Sequence, residues 1–332
     1  MNFPILSKPA RLALLAFAAA AMLGGTGCVS MEEYKRLEAS QKQALEQLAK
    51  VKSVVIESVM KSGTAILNAD DDLVYEMHKG LECKVAYFSL DEHNPRIQKH
   101  IRNGGLAAIS ENGFITICKG TWKIRVDKIS QIPLTFGGRA QFNIQNILPA
   151  VLAAFIRNFS LEDIRLSLET FIPSPAQTPG RMNMFQFHDF TVMIDYAHNA
   201  AGFEAIAGFL DKEDASPKVG IIAGVGDRRD EDILALGTLS ARMFDEIIIR
   251  QDKNLRGRTE QEIIDLMMKG IMAVDPKKKV TTIKKESEAI DYAIKNAVKG
   301  SFIVICSDVV PDALDQIMRY KEAEEKRVLV QD

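Results

Sequence analysis

None of the 21 glycines in this 332-residue chain is followed by lysine. That excludes the GxxxxGK[ST] loop, in which backbone amides and a lysine cradle the outer phosphates of a nucleoside triphosphate. Cysteine is sparse and scattered. Cys28, Cys83, Cys118 and Cys306 form no CxxC pair and have no histidine cluster beside them, which argues against a metal–thiolate site. Cys83, Cys118 and Cys306 read instead as reduced core thiols packing as small hydrophobes, and point to a cytosolic origin for the globular part. A strong charge of either sign is missing too: a formal net charge of -2 gives no electrostatic reason to expect nucleic-acid binding. There is no internal repeat or low-complexity tract, and the apolar run from Leu12 to Leu23 is too short to span a bilayer comfortably.

What is present is ordinary globular composition, with 47% hydrophobic and 26% charged residues, in a chain longer than one usual domain. Two folded units plus an appendage are expected. The appendage is the amino terminus. Lys8 and Arg11 precede the apolar run, and Gly24-Gly25-Thr26-Gly27 lead into Cys28, the layout of a secretory signal. Small residues directly before a cysteine resemble a bacterial lipoprotein signal with Cys28 as the lipidated residue, although Gly25 stands where leucine is usual. The membrane attachment this implies comes from acyl chains rather than a spanning helix. An uncleaved amphiphilic tail or a wrongly assigned start is the alternative.

Residues 1–28 are therefore read as a lipoprotein-type signal segment, 29–50 as a helical linker, 51–177 as one folded unit and 178–332 as another. Ser53-Val54-Val55-Ile56, Thr64-Ala65-Ile66-Leu67 and Lys84-Val85-Ala86-Tyr87-Phe88 are β-branched or apolar runs that predict strands. Leu106 to Val126 predicts antiparallel hairpins around Gly113 and Gly120, and Phe142 to Phe155 an apolar helix. After Pro179 five β-then-α alternations, with strands near 191–195, 218–224, 245–250, 279–284 and 301–306, predict a parallel sheet covered on both faces. Thr259-Glu260-Gln261-Glu262 reads as a capping box opening one of the helices.

The chemistry concentrates around Thr178-Pro179-Gly180-Arg181-Met182-Asn183 and Thr191-Val192-Met193-Ile194-Asp195-Tyr196-Ala197-His198-Asn199. Polar groups at the carboxyl end of a strand in an α/β sheet are where such folds bind ligands, and a cation, a carboxylate and an imidazole together suit a nucleotide. Gly224-Val225-Gly226-Asp227 and Asp252-Lys253-Asn254-Leu255-Arg256-Gly257-Arg258 come after the next two strands and belong to the same sheet edge. Asn68-Ala69-Asp70-Asp71 reads by itself as a turn, since Asn and Asp bond their own backbone.

These strings resemble the Mur-type ATP-dependent amide ligases, most closely the Mur-like half of the cyanophycin synthetases. The resemblance begins near Leu45, runs almost to the end, and implies an α/β fold with a partial Mur central domain over 51–177 and a Rossmann-like Mur carboxy-terminal domain over 178–332. It implies that Asn143 meets adenine, that Arg181 touches the terminal phosphate, and that Asp195, His198 and Asn199 contact ribose and adenine. Ala200 replaces the proline usual after that motif. Lys52 matches, within one residue, a lysine that is carbamylated in many of these enzymes and helps hold Mg2+; a solvent-facing lysine is the other reading. The 252–258 loop corresponds to one that binds the incoming amino acid, so Asp227, Asp252, Asn254 and Arg256 are substrate candidates, with Asp308 a further carboxylate for an arginine side chain.

The resemblance thus implies ATP and Mg2+ as cofactors and arginine or another amino acid plus an Asp-containing peptide as partners, and it leaves a homo-oligomer open. Ligases of this type activate a carboxylate by phosphoryl transfer before an amine attacks, which requires the phosphate loop. Since that loop is absent, binding of ATP and Mg2+ by this chain alone is in question and ligation by it is not expected. One explanation is a truncated or fused relative of cyanophycin synthetase, cytoplasmic like its parent family. A second is an envelope-anchored lipoprotein module whose Mur-like domain has lost catalysis. A third is an envelope lipoprotein binding an unrelated small molecule.

Overall fold

Residues 31–251, 255 and 257–331 are described by the structure, a computed structural model. The expectations for the 1–28 signal segment, Cys28, Asp252, Asn254 and Arg256 lie outside them. The described chain forms two units, one ending at Ile172 and the other beginning at Pro173.

The first unit opens with a long helix, α1 (Met31–Glu57). It takes in Ser53-Val54-Val55-Ile56, expected as a strand, and the reason is local. β-Branched residues lower helix propensity by only a few tenths of a kcal/mol each, and the Glu-, Ala-, Leu- and Lys-rich stretch before them is already helical. Ser53 also turns its hydroxyl back to the Lys50 carbonyl at 2.8 Å, and no strand lies alongside to offer an alternative ladder among the described residues.

A five-stranded sheet comes next, β1 (Thr64–Asn68), β2 (Lys84–Ser89), β3 (Leu106–Glu111), β4 (Phe114–Lys119) and β5 (Trp122–Lys128), in that order across the sheet. The first three strands are parallel and the last two antiparallel hairpin partners, as the runs around Gly113 and Gly120 predicted. Between β1 and β2 lies a short helix, α2 (Asp72–Glu76), and between β2 and β3 lies α3 (Pro95–Arg102). Two more helices, α4 (Gln141–Ile156) and α5 (Leu161–Thr170), complete the unit. Ile144, Ile147, Leu148, Val151 and Leu152 of α4 pack on one sheet face against Ala86, Ala108, Ile115 and Ile117. Leu67, Tyr87, Ala107, Ile109 and Cys118 line the opposite face, against Ile97 and Ile101 of α3.

The Asn68–Asp71 turn is structural. The Asp70 carboxylate accepts from Ser89 Oγ at 2.5 Å, Leu90 N at 2.8 Å and Asn94 Nδ2 at 2.9 Å, tying β1 to β2 and to the start of α3. Asp71 caps α2, accepting from Leu73 N and Val74 N.

The second unit holds a six-stranded sheet. Its strands are β6 (Asn183–Gln186), β7 (Thr191–Asp195), β8 (Lys218–Ile222), β9 (Glu246–Ile249), β10 (Lys279–Thr282) and β11 (Phe302–Cys306), ordered β10-β9-β8-β11-β7-β6. Helices α6 (Ala200–Leu210), α7 (Asp230–Met243), α8 (Glu260–Val274), α9 (Glu286–Lys295) and α10 (Val310–Gln331) alternate with them. All five expected strands are present and mutually parallel. The Thr259 capping box is present as well, its hydroxyl and the Glu262 carboxylate bonding reciprocally.

Strand β6 was not expected. It pairs antiparallel with β7 from Asn183↔Ile194 to Gln186↔Thr191, and its first residue is the last of the Thr178–Asn183 string. Four residues with one buried position carry little alternation for sequence to show. Strand order positions the ligand edge. The chain leaves β7, skips one position to β8, builds outward, and returns to insert β11 between them. The carboxyl ends of β7, β11 and β8 therefore flank the place where strand order reverses, the position at which open α/β sheets bind ligands.

Candidate functional site

Asp195, the last residue of β7, organises this edge. Only 9% exposed, it accepts from Met182 N at 2.9 Å through one carboxylate oxygen and from Ala197 N at 2.8 Å through the other. Burial pushes its pKa up, while those amide bonds and the nearby Arg181 charge pull the other way. The turn before β6 is thereby pinned to the strand end. Asn183 fixes the same turn from the other side, accepting from Gly180 N at 2.7 Å and donating to Thr178 O at 2.9 Å. Gly180 has φ +68° and packs so tightly that a Cβ there would lie 2.6 Å from Val310 Cγ2. Only glycine fits.

The turn projects Arg181 into solvent, its guanidinium 5.6 Å from the centre of the Tyr196 ring. The His198 ring lies 5.1 Å from the same ring at a steep tilt. His198 Nδ1 is 3.0 Å from Tyr196 O; a carbonyl only accepts, so Nδ1 carries the proton and Nε2 of the neutral ring is the accepting nitrogen. Asn199 caps α6, its Oδ1 accepting from Gly202 N at 2.9 Å. Arg181, Asp195 and His198 are thus brought together, and Asn199 serves the helix start beside them.

A small, narrow cleft of about 20 Å3 opens at the carboxyl ends of these strands, lined by Ala197, His198, Val225, Arg250, Ser307 and Asp308 among others. Arg250 dominates its floor. This residue comes directly after β9, and its side chain is only 3% exposed. Nε lies 2.7 Å from Glu286 Oε2 and Nη2 lies 2.6 Å from Asp308 Oδ1, while Nη2 donates to Cys306 O at 2.9 Å. The two acid contacts are close ion pairs rather than well-aligned hydrogen bonds. Ser307 Oγ donates to Glu286 Oε1 at 2.8 Å and Ser307 N to Asp195 O at 2.9 Å, linking the cluster to β7. Burial pushes the Cys306 thiol far up, so it stays protonated and is no nucleophile.

The glycine loop after β8 is held by Arg258, which donates to Gly226 O at 3.1 Å and Arg228 O at 2.9 Å and pairs with Asp230 at 2.7 Å. A Cβ at Gly226 would fall 2.0 Å from Leu255 O, so the two loops touch backbone to backbone there. Asp227 sits near the tip, 4.0 Å from Arg228 Nε, and does not line the cleft. Asp308, offered as a carboxylate for a substrate guanidinium, is engaged by Arg250 instead.

In the first unit Lys52 is exposed on α1. Asn143 stands in the first turn of α4, where its Nδ2 donates to Leu134 O at 2.8 Å. Among the described residues no group of three or more His, Cys, Asp or Glu side chains could together hold a metal ion.

Comparison with known proteins agrees with this architecture. Residues 180–309 match the family described as Mur ligase, glutamate ligase domain, and residues 41–154 match the Mur ligase middle domain. The chain belongs to the Mur ligase family. It is 45% identical over 276 residues to a cyanophycin synthetase of Geminocystis herdmanii, covering 83% of this chain and 32% of that protein. A cyanophycin synthetase of a Synechocystis species is 43% identical over 277 residues, again 83% of this chain and 32% of the relative. The chain thus spans about a third of the length of these curated relatives.

Among solved structures, the Mycobacterium tuberculosis folylpolyglutamate synthase complexed with ADP and AMPPCP aligns with a TM-score of 0.57 at 18% identity, over 82% of this chain and 59% of that one. A murein peptide ligase from Psychrobacter arcticus aligns at 0.53 and 16%, over 79% and 51%. At these identities the likeness is one of fold. Arg250, Glu286, Ser307 and Arg258 are the site residues that sequence reasoning passed over. The one available signal was a charged or hydroxyl residue directly after a buried strand: Arg250 comes after β9 and Ser307 after β11.

Proposed function

We propose that this chain is the nucleotide- and amino-acid-binding part of an ATP-dependent amide ligase of the cyanophycin synthetase type, which joins arginine to the aspartate side chain of a polyaspartate backbone. The observation that carries the reading is the assembly of Arg181, Tyr196 and His198 on an Asp195-pinned turn, beside the Arg250 cleft. An exposed planar guanidinium next to an aromatic and an imidazole suits the phosphate, ribose and base of a nucleotide. Bound ATP would supply the phosphoryl group that activates the acceptor carboxylate.

In this reading the chain's own contribution is positioning. Arg181 meets a phosphate oxygen, His198 offers Nε2 to a hydroxyl or base amino group, and the loops after β8 and β9 receive the amino acid. The donors among the described residues do not by themselves make a magnesium site, and the sequence has no phosphate loop, so no step through the metal is derived.

Two results are expected of the purified 332-residue polypeptide. It should bind ADP, with Arg181→Ala weakening binding about 10-fold through loss of a charge-assisted bond. It should also fail to incorporate arginine into an Asp-containing primer with ATP and Mg2+. Absence of ADP binding at millimolar concentration, or unaided incorporation, would overturn the proposal.

The amino-terminal sequence favours a second reading, an envelope-anchored lipoprotein whose Mur-like domain binds without catalysing. Lys8, Arg11, the Leu12–Leu23 run and Cys28 are its basis. Radiolabelled palmitate should then enter the wild-type chain in a bacterial host and not Cys28→Ser; equal labelling of both, or of neither, discards it.

A further inference from the structure

Helices α7 and α8 start from two loops at the binding edge, the 224–229 loop after β8 and the loop after β9 that ends at Arg258. They also lie closer together than side chains at the contact would allow. A Cβ at Gly237 of α7 would overlap the Met267 carbonyl oxygen of α8, and a Cβ at Gly270 of α8 would overlap the Leu234 carbonyl oxygen of α7. Each of those carbonyls stands three residues before the glycine of its own helix, so the contact is reciprocal. Both glycines are buried, and Thr238 beside them donates to Leu234 O at 3.0 Å with Gly270 O 3.4 Å away. A reciprocal contact fixes sliding and rotation together, because a shift of either helix drives a side chain against backbone.

The close approach continues up to the loops. A Cβ at Gly224 would lie 2.5 Å from Ile263 Cγ2 of α8. Gly226 presses on the Leu255 carbonyl, and Arg258 holds Gly226 O, Arg228 O and Asp230, the first residue of α7. Gly224, Gly226, Gly237 and Gly270 thus form one seam, running from the binding edge down between the two helices. Glycine is the least favourable helix residue after proline, so two of them at helix-interior contacts mark a place where backbones must meet.

We propose that Gly237 and Gly270 are positioning residues. Their seam makes α7, α8 and the loops ahead of them one rigid body, and so sets the gap between those loops in which the incoming amino acid is held. The proposal rests on the reading that the loops after β8 and β9 receive the amino acid. The turn bearing Arg181 stands outside this body, on β6 and β7 beyond β11, so the nucleotide contacts do not depend on the seam.

The test compares the full 332-residue chain with Gly237→Ala, Gly270→Ala and a control, Gly208→Ala in α6, where an added Cβ would meet nothing within 4 Å. Both seam variants should shift the backbone amide resonances of Gly226, Arg228, Leu255 and Arg258, although Gly237 lies about 10 Å along α7 from its start. Those of Met182 and Ala197 should stay in place. With ADP present, arginine affinity should fall at least about 10-fold in both variants while ADP affinity stays within about 2-fold. Gly208→Ala should change neither affinity and should raise the denaturation midpoint through helix propensity.

Glycines that served local packing alone would lower the midpoint and leave the loop resonances unmoved, which overturns the proposal. So does an unchanged arginine affinity when the resonances have moved. Should a seam variant fail to fold, Thr238→Val removes only the hydroxyl beside Gly270 O and should shift the same resonances by less; unmoved resonances there overturn the proposal as well. If the wild type bound no arginine at millimolar concentration, the amino-acid reading of the loops would fall. The resonances would then still decide whether the seam holds them together.

Discussion

Replacing Arg250 with Met is expected to cost the second unit about 3–5 kcal/mol, the usual penalty for removing one partner of a buried ion pair. The side chain is almost wholly enclosed, and it holds Glu286 and Asp308 at 2.7 and 2.6 Å as well as the Cys306 carbonyl. Without the guanidinium two carboxylates face each other across the cleft floor with their central cation gone. Since domains are stable by only about 5–15 kcal/mol, a loss of this size leaves little reserve.

Two units need not unfold together, so a single midpoint for the chain would mislead. Denaturant-dependent hydrogen exchange at the amides of β8, β9 and β11 reads the unit directly. Arg250→Lys should fall between wild type and Met, because a point-like ammonium cannot serve two carboxylates and a carbonyl in one plane. The triple variant Arg250→Met, Glu286→Gln, Asp308→Asn should recover part of the loss, since neutral amides need no buried cation. A cost below about 1 kcal/mol for Arg250→Met would show that the cluster is effectively solvated, contrary to its burial.

That cluster also marks the boundary of what sequence could show. The second unit's strands were legible because runs such as Phe302-Ile303-Val304-Ile305-Cys306 are apolar throughout, the signature of strands buried on both faces. Asp195, His198 and Arg181 were legible as a site because they stand on or directly beside one hairpin, close together in the chain. Arg250, Glu286 and Asp308 come from three separate elements and meet only because β11 inserts between β7 and β8. No local pattern encodes that crossover.

The error at Ser53–Ile56 has the opposite origin. The β-branched run suggests a strand by its own propensity, but the helix already under way upstream decides its state. The sequence puts Asp227 near the right sheet edge, but the tight Gly226–Leu255 approach and the Arg258 clamp hold the loop so that its carboxylate stays outside the cleft.

Asp195→Ala should destabilise the same unit by a different route. The carboxylate accepts from Met182 N and Ala197 N, and alanine would leave both amides without their acceptor, the first fully buried and the second half-buried. Each orphaned donor costs about 1–3 kcal/mol, so the two together rival the Arg250 variant. Asp195→Asn keeps the volume and one acceptor oxygen, and turns an NH2 toward the other amide, so about half that loss is expected.

The pH dependence separates charge from shape. Burial raises the Asp195 pKa in the folded chain above its unfolded value, so the folded state holds the proton more tightly. Stability from this group is therefore greatest below the unfolded carboxylate pKa of about 3.9 and declines as pH rises through the raised folded value. Asp195→Asn has no proton to lose there and should lack that decline, so its deficit relative to wild type should be largest at the acid end of the window and shrink as pH rises. Chemical denaturation of both chains across this window, read by exchange of the Met182 amide, tests the sign. If the deficit instead grew with rising pH, the amide bonds would outweigh burial and the turn bearing Arg181 would be held chiefly by the carboxylate charge.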